Sequence, residues 1–211
     1  QISQFAEKGL LADLNEHISQ DDLSGFTETS VSAVTYKEKL YGLPILRESQ
    51  TLFYNKAILA ELGVDEKDLP TTWAEFNELG KKAVEKGYYA RTYEGGNTLN
   101  ASLYPLVWQA GGDIVNDKNE ISINNEKSVK AFEQINEWYK DGLIAKDSIT
   151  SDDQGSMFLE GKILATWSAN NMINLAKENN VDIAIGSPLK EEVEVTYGTT
   201  GAFVVASTST N

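Results

Sequence analysis

Apolar residues recur at helical spacing in several stretches of the chain, each with its own start and stop signals. Thr72 followed by Glu75 forms a capping box, and Trp73, Phe76, Leu79 and Ala83 then line one helix face until Gly87 ends it. Asn125 predicts the cap of a second helix, with an apolar stripe of Val129, Phe132, Ile135 and Tyr139 and a stop at Gly142. Ser151, with Asp153 and Gln154 in the first turn, predicts a third that closes near Gly161.

Short runs rich in β-branched and aromatic residues lie between these helices. They are Leu43 to Leu46, Thr51 to Tyr54, Tyr89 to Tyr93, Ile163 to Trp167, Val181 to Ile185 and Ala202 to Ala206. Strands separated mainly by helices argue for an α/β arrangement with open sheets. Ile114 to Asn116 and Glu120 to Ile123 flank Asp117-Lys118-Asn119 as a small hairpin, and Glu94-Gly95-Gly96-Asn97 reads as the most flexible internal loop. The segment from Gln1 to Phe5 resembles the middle of an amphipathic helix, and the last strand run lies just before the end. The expectation is therefore a fragment of a longer chain, cut on both sides.

The 211 residues are 41% apolar and 24% charged, which is ordinary globular composition, but the net charge is -14. Such a charge repels phosphate backbones and anionic membranes, so nucleic acid is not expected as a partner and a neutral ligand is. No apolar run approaches the ~18 residues of a membrane helix. The absence of cysteine removes disulfides, thiol nucleophiles and thiolate metal sites. The single histidine, His17, lies in a stretch that reads as one turn of a solvated surface helix, which leaves no base for a Ser-His-Asp hydrolase.

The pairs Asp21-Asp22, Asp152-Asp153 and Glu191-Glu192 read as solvated turns or helix starts, and no calcium loop, Walker loop, dinucleotide fingerprint or nucleophile elbow is present. No metal, cofactor or catalytic residue is expected. What remains is aromatic and amide-rich. Tyr88, Tyr89, Tyr93, Tyr104, Trp108 and Trp167 accompany Asn97, Asn100, Ser168, Asn170 and Asn171, many at predicted strand ends or helix starts, where open α/β sheets bind ligands. A sugar presents flat C–H faces and a rim of hydroxyls, so its site needs an aromatic plate flanked by groups that give and take hydrogen bonds. Trp167, followed by Ser168, Asn170 and Asn171, has that combination; a core tryptophan followed by capping residues would have the same sequence.

A series of phrases adds to this. Gly9-Leu10-Leu11-Ala12-Asp13-Leu14, Leu40-Tyr41-Gly42-Leu43-Pro44-Ile45, Leu52-Phe53-Tyr54-Asn55-Lys56 and Leu69-Pro70-Thr71-Thr72-Trp73-Ala74-Glu75-Phe76 come first. Ala110-Gly111-Gly112, Trp138-Tyr139-Lys140-Asp141-Gly142-Leu143-Ile144 and Phe158-Leu159-Glu160-Gly161-Lys162 follow. In this order and spacing the chain resembles the extracellular solute-binding proteins of bacterial ABC transporters, in particular the carbohydrate-binding branch that includes maltodextrin-binding protein.

That resemblance implies a periplasmic-binding-protein-like two-lobe α/β fold, here mainly the second lobe. Residues 1–46 would be a partial first lobe, 47–50 a hinge crossing, 51–187 the second lobe, 188–201 the return crossing and 202–211 a first-lobe strand. It also implies a non-enzymatic receptor, outside the cell as a periplasmic protein or surface lipoprotein, that binds a carbohydrate between its lobes and delivers it to a membrane permease. Carried over residue by residue, Glu48 resembles a hinge-side carboxylate that accepts sugar hydroxyl protons, and Trp167 the aromatic strand end after Gly161-Lys162, although the best-known members place that ring where this chain has Asn170 and Asn171. Asn97, Asn100 and Tyr104 match the start of the helix before Ala110-Gly111-Gly112, and Thr200 with Gly201 the returning crossing. Tyr93, Ser168, Asn170 and Asn171 complete the expected ligand contacts, while Trp73 and Trp138 read as core. A polyamine receptor of the same fold, or a glycoside hydrolase with carboxyls roughly 5 to 9.5 Å apart, are the alternatives.

Overall fold

The computed structural model describes residues 2–210 apart from 98, 117, 119, 152 and 154. The expected hairpin-turn residues Asp117 and Asn119, together with Gln1, Asp152 and Gln154, lie outside the described residues. The elements in order are α1 (Ile2–Glu7), α2 (Gln20–Leu23), α3 (Glu28–Val34), β1 (Thr35–Tyr36), β2 (Lys39–Leu40), β3 (Leu43–Ser49), β4 (Thr51–Asn55), α4 (Lys56–Leu62), α5 (Trp73–Glu85) and β5 (Tyr89–Arg91). They continue with α6 (Leu99–Gln109), α7 (Glu126–Lys140), α8 (Gly155–Leu159), β6 (Ile163–Ser168), α9 (Asn171–Glu178), β7 (Ile183–Ile185) and β8 (Gly198–Phe203). None of the described helices is long and apolar enough to cross a membrane. The chain forms two compact units, one of residues 1–48 with 198–211 and the other of residues 49–197.

In the first unit, Leu14, Leu23, Val34 and Leu40 make a small core. Thr27 caps α3 and Ser19 caps α2 through a reciprocal bond with Asp22, and β1 and β2 form a hairpin. β3 pairs with β8. Here the expected strand Ala202 to Ala206 is displaced: β8 begins at Gly198 and ends at Phe203, since the following backbone bonds elsewhere, Ala12 N donating to the Val205 carbonyl at 2.9 Å and Leu11 bridging Ala206. His17 sits exposed in a hydrogen-bonded turn rather than in a helix, because the chain closes only bonds back to the Leu14 carbonyl.

The second unit is built on a four-stranded sheet in the order β5-β6-β4-β7. β6 runs parallel to β5 and antiparallel to β4, and β7 is antiparallel to β4. The carboxyl ends of β5, β6 and β7 therefore share one edge with the amino end of β4, and α9 starts directly from β6 there. Alternation along β4 divides its residues, with Leu52 and Tyr54 in the main core and Phe53 in a second cluster with Phe158, Ile163 and Met172. Two expected strands are shorter than their apolar runs. β5 stops at Arg91, and β7 starts at Ile183 because the Val181 amide returns to the Ala176 carbonyl at the end of α9.

The capping box of α5 is present, with Thr72 Oγ1 accepting from the Glu75 amide and the Glu75 carboxylate from the Thr72 amide. Trp73, Phe76, Leu79 and Ala83 are all buried below it. The predicted stripe of α7 is displaced by part of a turn. Val129 and Phe132 are 41% and 43% exposed, and the buried face is Ser128, Ala131, Gln134 and Trp138, with Ile135 and Tyr139 partly buried beside it. Polar residues on that face find partners inside, although the buried Gln134 Nε2 has none among the described residues. Ser128 bonds the Asn125 cap, and Asn77 donates to Gln134 Oε1 at 3.1 Å while accepting from Trp138 Nε1 at 2.6 Å.

Candidate functional site

The sheet edge described above brings together residues that are distant in sequence. Trp167 is half-buried near the end of β6, opposite Leu52. Its amide donates to Thr92 Oγ1 at 3.0 Å, and its indole Nε1 donates to Gln50 Oε1 at 2.6 Å. Ser168 follows half-buried, and Asn170 and Asn171 are exposed at the start of α9, where Asn170 makes no side-chain capping bond. Indole and amides thus lie at one strand end, with the asparagine side chains turned to solvent.

Gln50 also carries the link to the second group. Its amide donates to the Tyr197 carbonyl at 2.9 Å, and its carbonyl accepts from the Thr196 hydroxyl. The Tyr197 hydroxyl accepts from Asn100 Nδ2 at 3.0 Å, and its ring stacks on Trp108 with the planes 8° apart and the centroids separated by 6.4 Å. Tyr104, one turn before Trp108 on α6, meets that indole at 5.8 Å. Three aromatic rings and an amide are therefore tied through Gln50 to Trp167. Asn100 and Tyr104 belong to this face, and Asn97 is exposed just before α6.

Tyr93 does not belong to it. It is 5% exposed and packs in the main core, and burial raises its hydroxyl pKa. Its ring is enclosed in that core, so its position near the strand end gives no access. The loop 94–97 is also pinned, in contrast to its flexible composition: Gly95 N donates to the Ser148 carbonyl at 2.8 Å and Gly96 N to the Ser151 carbonyl at 3.1 Å. A Cβ at Gly95 would overlap the Ile149 carbonyl, which explains the glycine by close approach rather than by mobility.

The remaining candidates lie in the first unit. Glu48 is half-buried towards the end of β3, and among the described residues no side chain bonds its carboxylate. Thr200 and Gly201 are half-buried on β8, where a Cβ at Gly201 would rest 3.5 Å from that of Leu46. Trp73 and Trp138 are core, as their helix phrases suggest, at 2% and 1% exposure. Gln50 and Tyr197 were missed by sequence reasoning. Tyr197 was visible only as an aromatic in a polar stretch, and its partner Asn100 lies 97 residues away.

Chemically, this face can stack flat apolar surface and exchange hydrogen bonds around it. Among the described residues no cluster of His, Asp and Glu could hold a metal ion. An α/β unit with an aromatic and amide face at its strand ends has the makings of a small-ligand receptor. The chain belongs to the bacterial extracellular solute-binding protein family, whose profile matches residues 1–211.

Individual relatives agree with that membership. The galactooligosaccharide-binding protein of Bacillus subtilis is 32% identical over 184 residues, which cover 80% of this chain and 40% of that protein. The maltotriose-binding protein of Pyrococcus abyssi is 29% identical over 190 residues, 87% of this chain and 39% of its own. Among solved structures, an ABC transporter solute-binding protein from Thermotoga lettingae, bound with α-D-tagatose, superposes with a TM-score of 0.83 at 21% identity, covering 100% of this chain and 57% of its own. The fold is thus that of the periplasmic-binding-protein-like proteins. The chain spans about half the length of the relatives it matches.

Proposed function

We propose that the protein binds an oligosaccharide outside the cell and passes it to the membrane permease of an ABC importer without altering it. The observation that carries this reading is the continuous face running from Trp167 through Gln50 to Tyr197, Trp108 and Tyr104, with Asn100, Asn170 and Asn171 at its margin. Trp167 on β6 and the separate cluster of Tyr104 and Trp108 on α6 with Tyr197 suit a ligand with more than one pyranose, since aromatic faces take C–H surface and the amides take the hydroxyl rim. The two relatives, a galactooligosaccharide-binding and a maltotriose-binding protein, point the same way. In the first unit, Glu48 is proposed as an acceptor of sugar hydroxyl protons, with Thr200 and Gly201 as further contacts. The test is a thermal-shift and calorimetric screen against linear oligosaccharides, monosaccharides and polyamines. Saturable binding of a di- or longer saccharide, recovered intact by chromatography, is the expected result. Binding of a polyamine alone, or recovery of cleaved sugar, would overturn the reading.

A further inference from the structure

Unit 49–197 contains a buried cation that meets the proposed ligand face at the Trp167 ring. Arg91, the last residue of β5, is 2% exposed. Its Nε donates to the Thr92 carbonyl at 3.1 Å, and among the described residues no carboxylate pairs with it. Burial lowers its pKa to about 10, which leaves it protonated at neutral pH. A guanidinium removed from water without a counter-ion is costly, so its surroundings must return something. Those surroundings include the phenols of Tyr54 and Tyr93, close enough to interact with the charge, and two indoles. The guanidinium carbon lies over Trp138 at 4.6 Å from the ring centroid and over Trp167 at 6.0 Å.

The sheet register explains this placement. Arg91 stands opposite Ala165 on β6, and Trp167, two residues further along, is on the same face. Trp138 is held by its bond to Asn77 and by edge contacts with Trp73 and Phe76, so the guanidinium rests on a fixed plate. Trp167 packs only partly against the main core, and among the described residues its Nε1 edge is held by Gln50, so the guanidinium against its face is a further restraint on the ring.

We infer that Arg91 is a positioning residue for the ligand face: clamped on Trp138, it holds the inner side of the Trp167 ring and keeps the outer side presented at the strand end. The inference rests on the reading of Trp167 as a sugar platform. Both the charge and the plane of the guanidinium serve this role, the charge through attraction to the ring face and the plane through stacking. Methionine would fill the space without either, and lysine would keep the charge without the plane.

The test uses Arg91→Met and Arg91→Lys in the native and Trp167→Ala backgrounds, with the lysine variant standing in if the methionine variant does not fold. In the ligand-free protein, the indole N–H resonance of Trp167, assigned among the four tryptophans with Trp167→Phe, is expected to shift in both variants. Affinity for the best oligosaccharide of the screen is expected to fall roughly tenfold, the scale of a desolvated cation–π contact, and to fall no further when Arg91→Met is added to Trp167→Ala. An unmoved Trp167 resonance, or a loss of affinity that persists in full without Trp167, would overturn the inference. If the native protein binds no saccharide, the functional reading fails, while the resonance still decides whether Arg91 positions the ring.

Discussion

Trp167 and Trp138 share a cation and differ in burial, and the contrast makes each informative. Trp138 is enclosed, so Trp138→Ala is expected to cost about 3 to 5 kcal/mol of folding stability, measured by urea unfolding, as large-to-small core changes do. Trp167 is half-buried, with one polar bond to Gln50. Trp167→Ala should therefore cost less stability than that and should weaken oligosaccharide binding by more than about 1 kcal/mol, the extra worth of an aromatic contact beyond its area. A fall in the urea midpoint with affinity intact would return Trp167 to the core. Glu48→Gln keeps the shape of its side chain and removes the charge, so binding should weaken by about 1 to 2 kcal/mol with little change in the ligand-free melting temperature. A loss of stability at unchanged affinity would make Glu48 a structural residue instead.

At the scale of elements, local rules account for most of what the sequence revealed. The start of α5 was readable because capping is a contact across three residues, and the structure extends it: Glu75 also accepts from the Thr71 amide at 2.9 Å and from the Thr71 hydroxyl. Those bonds hold the carboxyl of Glu75 below its ordinary pKa, the Thr71 amide first among them. A depressed carboxyl pKa contributes stability that is present above the ordinary value and is lost as pH falls through the lower folded value. Glu75→Gln should therefore be less stable than the native protein near neutral pH, and the gap should close as urea titrations are repeated towards pH 3. Thr72→Ala should cost about 1 kcal/mol near neutral pH.

The buried face of α7 was not readable. Apolar count alone favours Val129 and Phe132, whereas burial of Gln134 depends on Asn77, 57 residues away. Phe132→Ala is accordingly expected to change stability by no more than about 0.5 kcal/mol, the usual range for a surface substitution. A loss above 2 kcal/mol would restore the predicted stripe. The candidate site divides along the same line. Trp167 with its trailing amides, and Asn100 with Tyr104, were visible as local groups. Gln50, Tyr197 and Arg91 enter through strand register and long-range bonds, and a lone arginine in a β-rich run carries no local signal of a stack between indoles.

At the scale of the whole molecule, the two units differ in what each can bury. The main cluster and its satellite, from Leu52 to Leu189, lie entirely within residues 49–197. Among the described residues the core cluster of the other unit is Leu14, Leu23, Val34 and Leu40, and the unit leaves Ile45, Leu46, Phe203 and Val204 exposed. Small cores are marginal because the area removed from water barely offsets chain entropy. The unit of residues 1–48 and 198–211 should therefore open at lower denaturant than the other. Tryptophan fluorescence separates them, since Trp73, Trp108, Trp138 and Trp167 all lie in residues 49–197 and none reports on the rest. In a urea titration the far-ultraviolet circular dichroism should begin to fall before the tryptophan emission moves, and amides of β4 and β6 should exchange with deuterium more slowly than those of β1, β2 and β8. Coincident transitions by both probes, with uniform protection across these strands, would mean that the smaller core unfolds only together with the larger one.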